Sequence, residues 1–201
     1  YNQDFTGSVG RVFPQVGMEW RLPFIKASED SRQIIEPVIV AVAAPNGGNK
    51  TSKIPNEDSQ DIQFDDTNIL SLDRYPGYDR NDTGSRISYG VNWSSYGDVT
   101  GRTSAFIGQS YRFKKSEGFG EYLDQRSYFS DYVGRINASP NQYLDLNYRF
   151  TIDKDDYKLK YSELTAAIGP SMMKFYVSYI YLENNPNAII QGYRQRQELY
   201  T

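Results

Sequence analysis

The feature that most constrains this chain is a period of two that returns in segments of about ten residues. Over residues 11–24, Val12, Pro14, Val16, Met18, Trp20, Leu22 and Phe24 fall on one side, and Gln15, Gly17, Glu19 and Arg21 on the other. Successive side chains of a β-strand point to opposite faces, so each such segment predicts a strand with one apolar and one polar face. The pattern returns over 86–95, with Ile87, Tyr89, Val91 and Trp93 against Ser88, Gly90, Asn92 and Ser94. It returns again over 100–113, where Gln109 interrupts the apolar side, and over 127–138. Over 143–152, Leu144, Leu146, Tyr148 and Phe150 oppose Asp145, Asn147 and Arg149. Over 172–183, Met173, Phe175, Val177, Tyr179 and Tyr181 oppose Lys174, Tyr176 and Ser178.

Three segments read less cleanly. Residues 31–45 form a strand that is apolar on both faces from Pro37 onward, which leaves its orientation open. Residues 157–169 slip phase near Glu163, where a β-bulge is expected. Residues 192–201 begin one more strand. The expectation is about nine strands joined hairpin to hairpin, all antiparallel and up-and-down, with no helical period between them.

The connections alternate in length. Residues 26–30, 97–99 and 139–142 are short turns, whereas 46–85 and 114–126 are long. Short periplasmic turns and long extracellular loops are the asymmetry of outer-membrane barrels. The contrast fades after Ile152, where every connection is short.

Composition narrows the functional classes. The net charge is −3, with acids and bases interspersed, so there is no basic footprint for nucleic acid. No histidine or cysteine is present, which excludes Ser-His-Asp, Cys-His and His-ligated zinc chemistry within the chain. Mean hydropathy is −0.67, yet aromatics make up 15% of residues and 18 are tyrosine. The longest apolar run, 38–44, is far short of the roughly 20 residues of a membrane helix. No targeting segment opens the chain, which reads as an internal or processed piece.

Alternation alone does not say which face is wet. A soluble barrel would bury the apolar face; a membrane barrel would turn it to lipid and line its lumen with the charges. Strand length, sorted loops and aromatics near strand ends (Phe24, Tyr96, Tyr128, Phe150, Tyr157 and Tyr181) favour the membrane sense. On that reading Val16, Met18, Trp20, Val91, Trp93, Leu144, Leu146, Phe175 and Val177 face lipid. Glu19, Arg21, Glu36, Asn92, Asp145, Asn147, Arg149 and Lys174 face the lumen.

The long connection ends in a distinctive stretch over 65–80. Asp65, Asp66, Asn68, Arg74, Asp79 and Arg80 alternate with the apolar anchors Ile69, Leu70, Leu72, Tyr75 and Tyr78 around a Pro76-Gly77 turn. A solvated loop needs neither the turn nor the anchors. The stretch is therefore expected to fold back over the barrel mouth, with Asp79 and Arg80 bonded to lumen-facing groups.

Several of these residues carry a resemblance. The stretch Asp65-Asp66-Thr67-Asn68 through Gly77-Tyr78-Asp79-Arg80, followed by Arg86-Ile87-Ser88-Tyr89-Gly90, is similar to the long-loop signature of the LptD family. Arg11-Val12-Phe13-Pro14-Gln15, Ile35-Glu36-Pro37, Gly108-Gln109-Ser110-Tyr111-Arg112-Phe113 and Asp145-Leu146-Asn147-Tyr148-Arg149-Phe150 also resemble it, in the family's order along nearly the whole chain. The resemblance implies a transmembrane barrel in the Gram-negative outer membrane that delivers lipopolysaccharide to the outer leaflet. It further implies an LptE-like plug lipoprotein in the lumen, which Asp65, Asp66, Asn68, Arg74, Gly77, Asp79 and Arg80 of the folded-back stretch are expected to contact, and a periplasmic Lpt bridge that supplies the substrate. Residues 1–201 would then be a central arc of that barrel, without the family's periplasmic jelly-roll, cysteines or gate strands. No cofactor, metal or catalysis is expected.

Two other readings remain at this point. A porin or nutrient receptor would share the charged lumen but not the constellation from Glu36-Pro37 to Arg80. An outer-membrane enzyme would need a general base, usually His, from outside this chain.

Overall fold

A computed structural model describes residues 12–46, 64–74, 82–97, 101–114, 127–183 and 198–200. The strands are β1 (Val16–Arg21), β2 (Phe24–Ala27), β3 (Ser31–Ala43), β4 (Arg86–Gly97) and β5 (Gly101–Arg112). They continue as β6 (Tyr132–Asn141), β7 (Leu144–Ile152), β8 (Leu159–Ile168), β9 (Phe175–Leu182) and β10 (Glu198–Tyr200). They form one antiparallel, up-and-down sheet in the order β1-β3-β4-β5-β6-β7-β8-β9-β10, with β2 also on β3. The sheet does not close on itself; it is a partial arc. Among the described residues no helix is long and apolar enough to cross a membrane, which says nothing of strands.

The first strand differs from its expected bounds. It starts at Val16, breaks at Leu22-Pro23, and resumes through Ala27, so the turn is 28–30 rather than 26–30. β1 and β2 pair with β3 in a single register, Arg21 opposite Val38 and Phe24 opposite Ile35. The break is local chemistry: Pro23 and Pro37 both lack an N–H, and only Leu22 N–H to Pro37 O, at 3.3 Å, bridges the gap.

Two further expectations are corrected. The turn foreseen at Ser139-Pro140-Asn141 is strand as far as Asn141, with a register shift between Ala138 and Asn141. The bulge foreseen near Glu163 lies at Lys160, the extra residue between Leu159 (opposite Ile152) and Tyr161 (opposite Thr151). Tyr161 thereby joins the polar face, where its hydroxyl donates to Glu163 at 2.8 Å. Lys160 reaches Asp131 and Asp153, at 2.9 and 2.5 Å.

The registers sort the two faces. Val16, Met18, Trp20, Val91, Trp93, Leu144, Leu146, Phe175 and Val177 all lie on one face. Gln109, on that same face, accepts from the Tyr89 hydroxyl at 2.6 Å and donates to Ser130 O at 3.0 Å, so its amide is satisfied. Tyr96 falls on the opposite face, with Arg102 5.9 Å over its ring, and is not part of an apolar-side aromatic rim.

The described core is on the polar face. Val38, Val40, Val42, Phe106 and Val133 are buried there beneath Ile69, with Phe64 and Leu70 packed alongside. This explains why β3 is apolar on both sides. Ile39 is exposed on the outer face, while Val38, Val40 and Val42 are covered by a segment about thirty residues further along the chain.

Candidate functional site

Pairing arranges the polar face in rows that cross the strands. From the short-turn end, one row is Ser94, Ser104, Asn137, Asn147, Thr165 and Ser178. Above it lie Glu36, Asn92, Phe106, Arg135, Arg149 and Glu163, then Val38, Gly90, Gly108, Val133 and Thr151. Val40, Ser88 and Ser110 follow, and Val42, Arg86 and Arg112 come last. Residues 64–74 form a strap across the upper four rows, and each of its groups meets a row of matching chemistry.

The tip of the strap is a turn built by its own side chains. Asp65 Oδ1 accepts from the Thr67 N–H at 2.8 Å and the Thr67 hydroxyl at 2.6 Å. Asn68 Oδ1 accepts from the Asp65 N–H at 3.1 Å, and the Ile69 N–H returns to Asp65 O at 3.1 Å. The second oxygen of Asp65 is left for Arg149 Nη2, at 2.7 Å. Asp66 lies between two arginines, accepting from Arg149 Nε at 2.8 Å and Arg135 Nη1 at 2.9 Å. Such charge-assisted bonds are about twice as strong as neutral ones.

One row up, Ile69 is fully buried over a glycine floor. A Cβ on Gly108 would sit 2.8 Å from the Phe106 ring and 3.2 Å from Ile69 Cδ1, so only glycine admits both side chains. Above this, Arg74 Nη2 donates to Ser110 Oγ at 2.7 Å, Ser88 Oγ at 2.9 Å and Ile69 O at 3.3 Å. Its guanidinium also stacks 4.8 Å over the Phe64 ring.

The top row is an arginine knot. Arg86 and Arg112 are direct cross-strand partners, a like-charge pair that would repel. Asp82, with no exposed surface, holds them together, 2.6 Å from Arg112 and 3.0 Å from Arg86, with Arg74 Nε at 3.6 Å. Arg86 Nη2 also donates to the carbonyls of Ser71 and Leu72, at 2.8 and 2.6 Å, and Arg112 Nη1 to Thr83 O at 3.0 Å. Gln15 ties the strap to the start of β1 through Leu72 O, at 2.8 Å.

The other expected positions form smaller groups. Arg21 pairs with Glu19 and, at 2.9 Å, with Glu36, which also accepts from Asn92 at 3.3 Å. Asp145 pairs with Lys174 at 2.5 Å, and Asn147 donates to Asn137. Gly77, Asp79 and Arg80 lie outside the described residues. Sequence reasoning missed Asp82, Arg86 and Arg112 as a group. The available signal was two arginines at facing ends of consecutive strands with an acid four residues before the first.

At the long-connection end, Asp131 and Asp153 share Lys160. Burial pushes the Asp131 carboxyl up, against the pull of Lys160. Asp153 also meets a burial cost, but Lys160 and the N–H groups of Asp155 and Asp156 hold it well below the usual carboxylate range.

The arrangement is suited to covering and sealing a polar surface. No group of acids that could hold a metal ion occurs among the described residues. The family model for LptD, described as LPS transport system D, matches residues 1–200. A comparison with curated proteins returns no match.

Proposed function

The chain belongs to the LptD family, a family of lipopolysaccharide transport and assembly in the outer membrane, and on that premise we propose how this arc of wall serves it. The apolar face lies against outer-membrane lipid and the polar face lines the lumen. The 46–85 and 114–126 connections are extracellular. The strap covers the inner wall at that end, while lipopolysaccharide from the periplasmic Lpt bridge passes to the outer leaflet beside an LptE-like plug.

The observation that carries this reading is an inversion of burial. Val16, Met18, Val91, Ile107 and Phe175 are exposed on the predominantly apolar face, whereas the buried apolar side chains sit on the face that carries most of the charges. A soluble barrel would have the opposite arrangement, since large exposed apolar patches mark an interaction surface. Strand length agrees. β3 has 13 residues, roughly 40 Å along the strand and about 30 Å across a bilayer at a tilt near 45°.

The test is depletion of this protein in living cells while newly made lipopolysaccharide is followed to the surface. Delivery should stop and lipopolysaccharide should build up on the inner side. Undiminished delivery would overturn the reading.

A further inference from the structure

We infer that the strap is a hinged cover whose tip, held by Arg149, releases from the sheet while Asp82 keeps its root in place. Its bearing on transport rests on the lumen-facing assignment proposed above; the hinge itself rests on the difference between the two attachments.

The root cannot open in part. Asp82 and Arg86 are fully buried, and Arg112 nearly so. Separating them would leave like charges face to face and out of water. Backbone bonds secure the same place, Gly84 N–H to Pro45 O at 3.0 Å and Phe113 N–H to Ser85 O at 3.2 Å.

The tip is built differently. The Arg149 and Arg135 side chains are 24% and 37% exposed and Asp65 is 17% exposed, so water and salt reach the arginine side of each pair, although the Asp66 carboxylate itself is covered while the tip is seated. Release leaves Arg149 compensated, because Glu163 Oε2 lies 3.7 Å from its Nη1 on the other side. Asp65 and Asp66 pass to solvent, where carboxylates are at home. Once off the sheet the turn keeps only its own bonds, those of Thr67 and Asn68, Ile69 N–H to Asp65 O at 3.1 Å and Ser71 N–H to Asn68 O at 3.0 Å; a lone turn frays in water, so release opens these amides to exchange. Ile69, buried when the cover is closed, drives its return. Arg149 is thus a positioning residue: it sets where the tip rests and touches no substrate.

Hydrogen exchange on the whole protein, purified in lipid, tests the hinge. In Arg149→Gln the Ile69 and Ser71 amides should exchange about tenfold or more faster, with Gly84 and Phe113 unchanged. Arg149→Lys, which keeps the charge, should restore part of the protection. Raising salt from roughly 0.1 to 1 M shortens the Debye length from about 10 to about 3 Å. That should speed Ile69 exchange in the unmodified protein and have a smaller effect in Arg149→Gln, where only the Arg135–Asp66 pair remains to be screened. If all four amides accelerate together, the strap is one rigid piece and the hinge is wrong. If Ile69 is unaffected, Arg149 holds nothing. Both outcomes are independent of whether the depletion experiment supports transport.

Discussion

Replacing Asp82 with Asn keeps the shape of the arginine knot and removes its one fully buried carboxylate. The three contacts run from 2.6 to 3.6 Å, with partner side chains 7%, 0% and 7% exposed. At an effective dielectric near 20, each contact is worth roughly 5 kcal/mol in gross attraction. Most of that offsets the desolvation of the charges. What deletion reveals is the cost of stranding the arginines, about 3–5 kcal/mol. Glu19→Gln is the control, because Glu19 and Arg21 are both near half exposed and the pair is worth about 0–1 kcal/mol. Denaturant titrations of the protein in lipid vesicles would compare the two. A double change, Asp82→Leu with Arg86→Met, should recover part of the loss, since apolar groups of similar volume can replace a buried pair. If Asp82→Asn costs no more than Glu19→Gln, the knot does not hold the strap.

Charge on the two faces should be tolerated unequally: Val91→Arg or Leu146→Arg is expected to cost about 2–4 kcal/mol near the bilayer midplane, and Asn92→Arg or Asn147→Arg much less. Folding titrations into lipid would rank them, and the reverse order would turn the wall inside out. Single cysteines at Lys114 and Gln142, both exposed and at opposite ends of the strands, should label oppositely with an impermeant reagent on whole cells; equal labelling would refute the topology. The Asp153 carboxyl is depressed, so its contribution is complete above the ordinary carboxylate pKa of about 3.9 and fades as pH falls through the lower folded value. The difference in melting temperature between wild type and Asp153→Asn should therefore be equal at pH 7 and pH 5 and shrink below about pH 4; a gap already narrower at pH 5 would contradict the Lys160 assignment.

Much of the sheet was legible because a period of two is a local signal. The phases of β4, β7 and β9 follow from Ile87 to Trp93, Leu144 to Phe150 and Phe175 to Tyr181 with no knowledge of neighbours. β3 was ambiguous because the cover on Val38, Val40 and Val42 comes from Ile69 and its neighbours, and the alternation of a strand carries no record of a distant partner. The bulge was set at Glu163 because the phase changes visibly only once the alternation has resumed beyond Lys160. Asp65 and Asp66 stood out as adjacent acids. Their partners Arg149 and Arg135 lie on β7 and β6, across sequence separations that only the folded registers close.

The strap has a mechanical consequence for the wall. Backbone hydrogen bonds tie each strand only to its immediate neighbours in the sheet. The strap runs across that grain, fastened near Gln15, to β4 and β5 through Arg86, Ser88, Ser110 and Arg112, and to β6 and β7 through Arg135 and Arg149. It acts as a diagonal brace. A slip of two residues in any braced strand would pull at least one charged fastening from its socket. With the tip seated, the described fastenings span β1 to β7; with the tip released, those to the start of β1 and to β4 and β5 remain, and β6 and β7 are freed from the brace.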